Sequence, residues 1–516
     1  MKKGKIICRT AAAAMAAACL VTGCGPQKKT AESGSGNKLT YWGILNTAVS
    51  QTMSNMGETP IAKELQKRVG TDIEYIHPPI GQEVEKFNLM IASNDLPDII
   101  FWAWVANYTG GPSKAIKEKR IISLNDYKDD APNFFKVLAE RENVDKLSKT
   151  DSGDYFGFTS IKGKDSLPVS DGLILRKDWL DELGLEIPET IEEWETVLRA
   201  FKSKKGAAAP ISCRSWGLPP FASAFNVIPG YYVEDGKVIC GYFEQGYKDY
   251  VSKMHDWYEE GLIDKDIATI DDITVNSNII KGVSGVTYNS IGSGIGRYMN
   301  ASKEKGYELV GAPYPVKNKG DKREYVPCGG DVPGGYAAAI STSCKNIPLA
   351  MKVLDYGYSE EGHMLLNFGI EGESYEMKDG YPTYTSLITN NKDGLSLAET
   401  LGRYTLASQA APIVQDARYM EQYAALPSQK KTLEIWKKVD SAEKVYPQIS
   451  PKEEYLNEYA RLTTDVNTYI SEMFMKFVMG VEPMDNFNSF LDGLRKRGID
   501  RITEIRQETL DSFNAR

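Results

Sequence analysis

Residues 39–101 read LTYWGILNTAVSQTMSNMGETPIAKELQKRVGTDIEYIHPPIGQEVEKFNLMIASNDLPDIIF, and this stretch decides the fold class. Leu39 to Ile44 reads as a strand. Thr59 then caps a helix with Pro60 at its first position, Ile61, Leu65 and Val69 on one face, and Gly70 at its end. A second strand follows near Ile73 to Ile76, a second helix carries Val84, Phe87 and Ile91, and Asp98 to Phe101 is a third strand. A β-α-β-α-β order predicts a parallel sheet flanked by helices, hence an α/β protein.

On the N-terminal side the chain is not fold. Lys2, Lys3, Lys5 and Arg9 form a cationic start without an acid, and Ala11 to Leu20 is an apolar run too short to span a bilayer. Leu20-Val21-Thr22-Gly23-Cys24 follows. Small residues before a Cys at the end of such a run resemble a bacterial lipobox, which implies a signal peptide over 1–23, cleavage after Gly23 and lipidation of Cys24. The stretch through residue 38, rich in Gly, Ser and Lys, reads as a flexible tether. No later run reaches 18 apolar residues, so nothing else is expected to span the membrane.

On the C-terminal side a second unit starts near Gly172. Leu173 to Leu175 is a strand, Lys177 to Leu183 a helix closed by Gly184, and Thr190-Ile191-Glu192-Glu193 a capping box for a helix through Phe201. Residues 207–246 are rich in Gly, Pro and aromatics and read as loops, whereas 343–368 and 450–516 return to helical spacing.

Composition narrows the function. At 42% hydrophobic and 25% charged, the 516-residue chain is globular and long enough for two to four domains. A net charge of −9 argues against a nucleic-acid partner. Catalytic motifs are absent: there is no GxSxG, HExxH or P-loop, and Gly292-Ser293-Gly294-Ile295-Gly296 lacks dinucleotide-loop spacing. Asp264-Lys265-Asp266 begins like a calcium loop, but Ala268 and Thr269 stand where a ligand and the turn glycine belong. His77, His255 and His363 are far apart, so no metal and no cofactor are expected. Cys213, Cys240, Cys328 and Cys344 are too few for a disulfide framework, and their pairing stays open.

Further segments carry a resemblance: Asn94-Asp95-Leu96-Pro97-Asp98-Ile99 before the third strand; LILRKDWLDELGL from Leu173; Lys281 to Thr287; AAISTSCKNIPLAMKVLDYGYSEEG from Ala338; and the helical close from Ser489. In this order, behind the lipobox, they resemble the solute-binding lipoproteins of ABC importers, in the extracellular family that includes maltose-binding protein, within an LplA-like Gram-positive subgroup. The resemblance implies a two-lobe, type II periplasmic-binding-protein-like fold, each lobe a mostly parallel sheet flanked by helices. It places lobe 1 at 38–172 and 308–356 and lobe 2 at 173–307 and 357–516. It further implies a monomeric, non-catalytic receptor that closes on a ligand and delivers it to ABC permease subunits at the outer face of the cell membrane.

In such sheets ligands bind beyond the carboxyl ends of strands. Aromatic faces stack on sugar rings and polar side chains hydrogen-bond their hydroxyls. The candidates are Trp42 after the first strand, Trp102 and Trp104 after the third, Tyr288 and Asn289 following the GVSGV strand at 282–286, and Trp216 in the loop-rich stretch. Arg176 at the entry to lobe 2 and Glu371 and Glu373 complete the set. Trp179, Trp194 and Trp257 fall on helices and read as core. The leading expectation is carbohydrate capture, with an oligosaccharide favoured. Binding of a peptide or another small solute is the alternative, and a surface glycoside hydrolase or an adhesin stands behind both.

Overall fold

The computed structural model describes residues 37–516. The lipobox, Cys24 and all of the tether except its last two residues lie outside this range. Thr59 caps the helix Pro60–Val69 by accepting a hydrogen bond from the Ala62 N–H, and Gly70 closes it in the left-handed conformation, φ 66°. The strand Lys38–Trp42 lies between two parallel partners, Asp72–Ile76 and Ile99–Ala103. Tyr336–Ile340 continues this sheet antiparallel to Ile99–Ala103, and Phe158–Thr159 ends it. All five residues of Ile99–Ala103 are buried, because elements cover both faces of the strand.

The second sheet centres on Asp171–Arg176, flanked by Leu309–Gly311 and Val286–Ser290. Both pairings are antiparallel, so the expectation of a mostly parallel second sheet is corrected. The reason is directional: Asp171–Arg176 carries the chain into the lobe and Leu309–Gly311 carries it out alongside. Thr190 forms the expected capping box with Glu193, starting the helix Ile191–Lys205, which buries Trp194, Val197, Leu198 and Phe201. Trp179, Trp194 and Trp257 all lie in the core of this lobe.

Packing also moves the expected lobe boundaries. Leu309–Gly311 belongs to the second sheet although it was assigned to lobe 1. Residues 360–415 belong with lobe 1: Leu365, Leu366, Ala411 and Ile413 pack on Ile61 and Ala62, and Val414–Gln415 pairs with Ile161–Lys162. The helices Pro427–Trp436 and Leu456–Val478 pack on lobe 2. Before its last helix the described chain therefore crosses between lobes three times, within 163–170, 312–335 and 416–426. The final helix, Ile499–Ala515, joins both cores, with Ile499 and Ile502 in lobe 2 and Phe513 in lobe 1.

Candidate functional site

Where the lobes meet, two cavities of about 250 and 290 Å³ share Ser170, Ser408, Tyr419 and Met420 and form one trough. Lobe 1 lines it with Asn46, Thr47 and Ala48 beyond its first strand, and with Ser160, Ile161 and Lys162. Lobe 2 contributes Ser290 at the end of Val286–Ser290, and Ile291 and Gly292 beyond it. Asn46 shapes its own loop: its side-chain oxygen accepts from the N–H groups of Ala48 (2.8 Å) and Val49 (3.3 Å). Residues Ile291–Gly296, which include the Gly292–Gly296 run, form a single π-helical turn, a form often found at functional sites. Gly292 must be a glycine, since a Cβ there would enter the Tyr423 ring, and Gln429 pins the turn through its amide to the Ile291 carbonyl at 3.0 Å.

One line of contacts leads from the trough to an exposed aromatic. Ser170 donates to Asp171 Oδ1 at 2.7 Å, and the Tyr288 hydroxyl donates to Asp171 Oδ2 at 3.0 Å. The Tyr288 ring in turn meets Trp216 edge to face, and Trp216 is 56% exposed. Burial, and then the Asp171 charge, push the Tyr288 hydroxyl well above the usual phenol range, so it remains a donor. Gly217 lets the Trp216 turn press this close, because a Cβ there would lie 2.9 Å from that of Tyr288.

The trough is mixed in character. Lys162 has no carboxylate within 4.0 Å among the described residues, and burial lowers its ammonium pKa. Asp165, Glu421, Lys437 and the rings of Tyr419 and Tyr423 complete a lining that can hydrogen-bond hydroxyls and stack on an apolar ring face.

The structure brings Trp216, Tyr288 and Asn289 to this end of lobe 2. The Asn289 amide donates to the Tyr298 hydroxyl at 2.6 Å, facing inward. The three lobe 1 tryptophans are corrected to core. Trp42, Trp102 and Trp104 pack with Phe87 in one aromatic cluster, and Trp104 is 0% exposed, its indole N–H donating to the Ala337 carbonyl at 3.1 Å. The chain turns into a short helix at Trp104, which folds that ring back over the sheet. Arg176 is also corrected. It ends the strand whose other end, Asp171, meets the trough, it is 0% exposed, and it pairs with Asp178 and Glu304 between the rings of Trp179 and Tyr307. Glu371 and Glu373 are exposed in the loop after the helix Glu360–Phe368 and line neither cavity.

Asp171, Lys162, Tyr419 and Tyr423 were missed by sequence reasoning, and only the proximity of Asp171 to the Gly172 strand start offered a signal. Among the described residues no group of three or more His, Cys, Asp or Glu is placed to hold a metal. The Asp264 carboxylate is engaged locally, accepting from Ser212 at 2.7 Å and from the Asp266 N–H at 3.1 Å. No helix among the described residues is long and apolar enough to cross a membrane.

This architecture has known counterparts. The chain is 27% identical over 412 residues to Lipoprotein LipO of Bacillus subtilis, covering 76% of this chain and 78% of the relative. It is 26% identical over 501 residues to the fructooligosaccharide ABC transporter substrate-binding protein FusA of Streptococcus pneumoniae, covering 89% and 88%. The solved structure of the alginate-binding protein AlgQ2 superposes with a TM-score of 0.75 at 23% identity, covering 92% of this chain and 98% of that one. FusA in complex with kestose gives 0.75 at 22%, covering 93% and 99%, and the shared fold is the two-lobe one described above. With the bacterial extracellular solute-binding protein model matching residues 56–364, the chain belongs to that family.

Proposed function

We propose that the chain captures a carbohydrate, an oligosaccharide, in the trough between its lobes and delivers it to the membrane permease of an ABC importer. It acts as a monomer without catalysing a reaction, held at the outer face of the membrane through lipidated Cys24. The observation that carries the reading is the exposed Trp216 ring braced by Tyr288 and linked through Asp171 and Ser170 to a trough of mixed polar and aromatic lining. The names of two relatives agree: FusA is described as a fructooligosaccharide binder, and YtcQ of Bacillus subtilis as a polygalacturonan/rhamnogalacturonan-binding protein.

The test is a thermal-shift panel on residues 25–516 with oligosaccharides, monosaccharides, peptides and amino acids. A ligand at 100 times its Kd adds about 2.7 kcal/mol of stability. A shift with one glycan class and no product on incubation is expected. A shift with peptides alone, or release of shortened sugar, overturns the reading. The anchor is checked separately: Cys24→Ser is expected to release the protein from cells into the medium, with no fatty acid on its N-terminal peptide.

A further inference from the structure

A third cavity, of about 290 Å³, shares no residue with the trough. It opens beside the hairpin strand Tyr231–Glu234, between the helices Leu456–Val478 and Ile499–Ala515. Its polar lining comes from Tyr231, Tyr446, Gln448, Thr463, Asn467 and Arg506. Among the described residues no Asp or Glu lines this cavity.

Arg506 is its centre. The guanidinium carbon sits 4.3 Å from the ring centroid of Tyr231, 4.8 Å from that of Tyr446 and 5.5 Å from that of Tyr459. Among the described residues no carboxylate lies within 4.0 Å of it, whereas Arg501 on the same helix meets both Glu458 and Glu504. Arg506 Nε is buried without a hydrogen-bond partner, and so are the Thr463 and Tyr231 hydroxyls. Buried polar atoms are nearly always satisfied, so three orphans beside one cavity indicate a missing partner. The Tyr446 hydroxyl donates to the Arg506 backbone carbonyl at 3.0 Å, whereas burial holds the Tyr231 hydroxyl well above the usual phenol range, which leaves it protonated and able to donate.

We propose that this cavity binds a small oxyanion, a carboxylate or phosphate group, held by the Arg506 guanidinium. The guanidinium fork matches the two oxygens of such a group, and the tyrosine rings keep its plane fixed and poorly hydrated. The Thr463 hydroxyl and the amides of Asn467 and Gln448 supply further donors. The anion has two possible sources, a free inorganic ion or a uronate carried on a sugar.

The experiment is calorimetric titration of residues 25–516, at constant ionic strength, with sodium phosphate, sodium glucuronate and glucose. The parent is expected to bind one phosphate or one glucuronate saturably. Binding by phosphate alone identifies a free ion as the source, by glucuronate alone a sugar-borne carboxylate, and by both the shared oxyanion chemistry. Arg506→Gln is expected to weaken that binding at least tenfold. So is Asn467→Asp, which adds a negative charge at an exposed position without disturbing the core. Absence of saturable anion binding, equal affinity in both variants, or glucose binding lost in the same variants overturns the proposal. None of these outcomes depends on the trough, whose glycan-induced thermal shift is read separately in the same variants.

Discussion

The rings of Trp216 and Tyr288 meet perpendicularly, at 90° with centroids 5.4 Å apart, so that Tyr288 is half-buried and Trp216 stands in solvent. An exposed tryptophan held at a fixed angle has little rotamer freedom left to lose when a ligand stacks on it. Trp216→Ala is therefore expected to weaken glycan affinity at least tenfold, while the free protein changes stability by no more than about 0.5 kcal/mol. Calorimetric titration and chemical denaturation measure the two effects, and unchanged affinity would remove Trp216 from the site.

Trp104 behaves in the opposite way. Replacing a fully buried indole with Ala opens a cavity next to Phe87 and leaves the Ala337 carbonyl without its donor. Trp104→Ala should cost about 3–5 kcal/mol of folding free energy. Ligand affinity of the folded fraction should be unchanged at low temperature.

Asp416 gives the protein an acid-sensitive joint where the chain leaves lobe 1. Burial alone would raise its pKa, but hydrogen bonds from His363 and Arg418 outweigh burial and hold the carboxyl well below its ordinary value of 3.8. A depressed carboxylate contributes stability above the unfolded-state pKa and loses it as pH falls through the folded one. Asp416→Asn is thus expected to cost about 2 kcal/mol at pH 7. Its deficit relative to the parent should shrink steadily below about pH 4. Asp355, whose pKa burial raises, contributes with the opposite sign, so the difference between parent and variant isolates Asp416. Urea titrations from pH 3 to 7 would show a parallel offset instead if the pairing were unimportant.

The four cysteines among the described residues are free thiols. Burial pushes Cys213 and Cys240 up to about 12 and Cys344 up to about 11, which leaves almost no thiolate at neutral pH. Under native conditions a thiol reagent should modify Cys328 first, since it alone is half-exposed. All four should react in denaturant without prior reduction, and fewer than four would reveal a disulfide.

Much of the local architecture was legible because it depends on contacts a few residues apart. The Thr59 cap, Gly70, Gly184 and the Thr190–Glu193 box all fall where the sequence puts them, and the first two support the β-α-β-α-β reading of lobe 1. The tryptophans were harder because position at a strand end does not say whether a ring turns toward solvent or back over the sheet. At Trp104 that is decided by the Ala337 carbonyl, 233 residues away. Arg176 misled for a related reason: it ends the strand that enters lobe 2, and only the pairing of Asp171 with Ser290 reveals which end meets the trough. Lys162, Tyr419 and Tyr423 had no local signal, since tertiary packing alone gathers them along the trough.

The helix Ile499–Ala515 has a mechanical consequence. Seventeen residues at 1.5 Å each make a rod roughly 25 Å long. Because one end is seated at Ile499 and Ile502 and the other at Phe513, the rod works as a ruler spanning the two halves of the molecule. Any movement that keeps both seats filled must preserve that length, which permits swivelling about the rod and forbids pulling the halves straight apart. The range of gape is thereby set by the length of one hydrogen-bonded helix, independent of whatever occupies the space between.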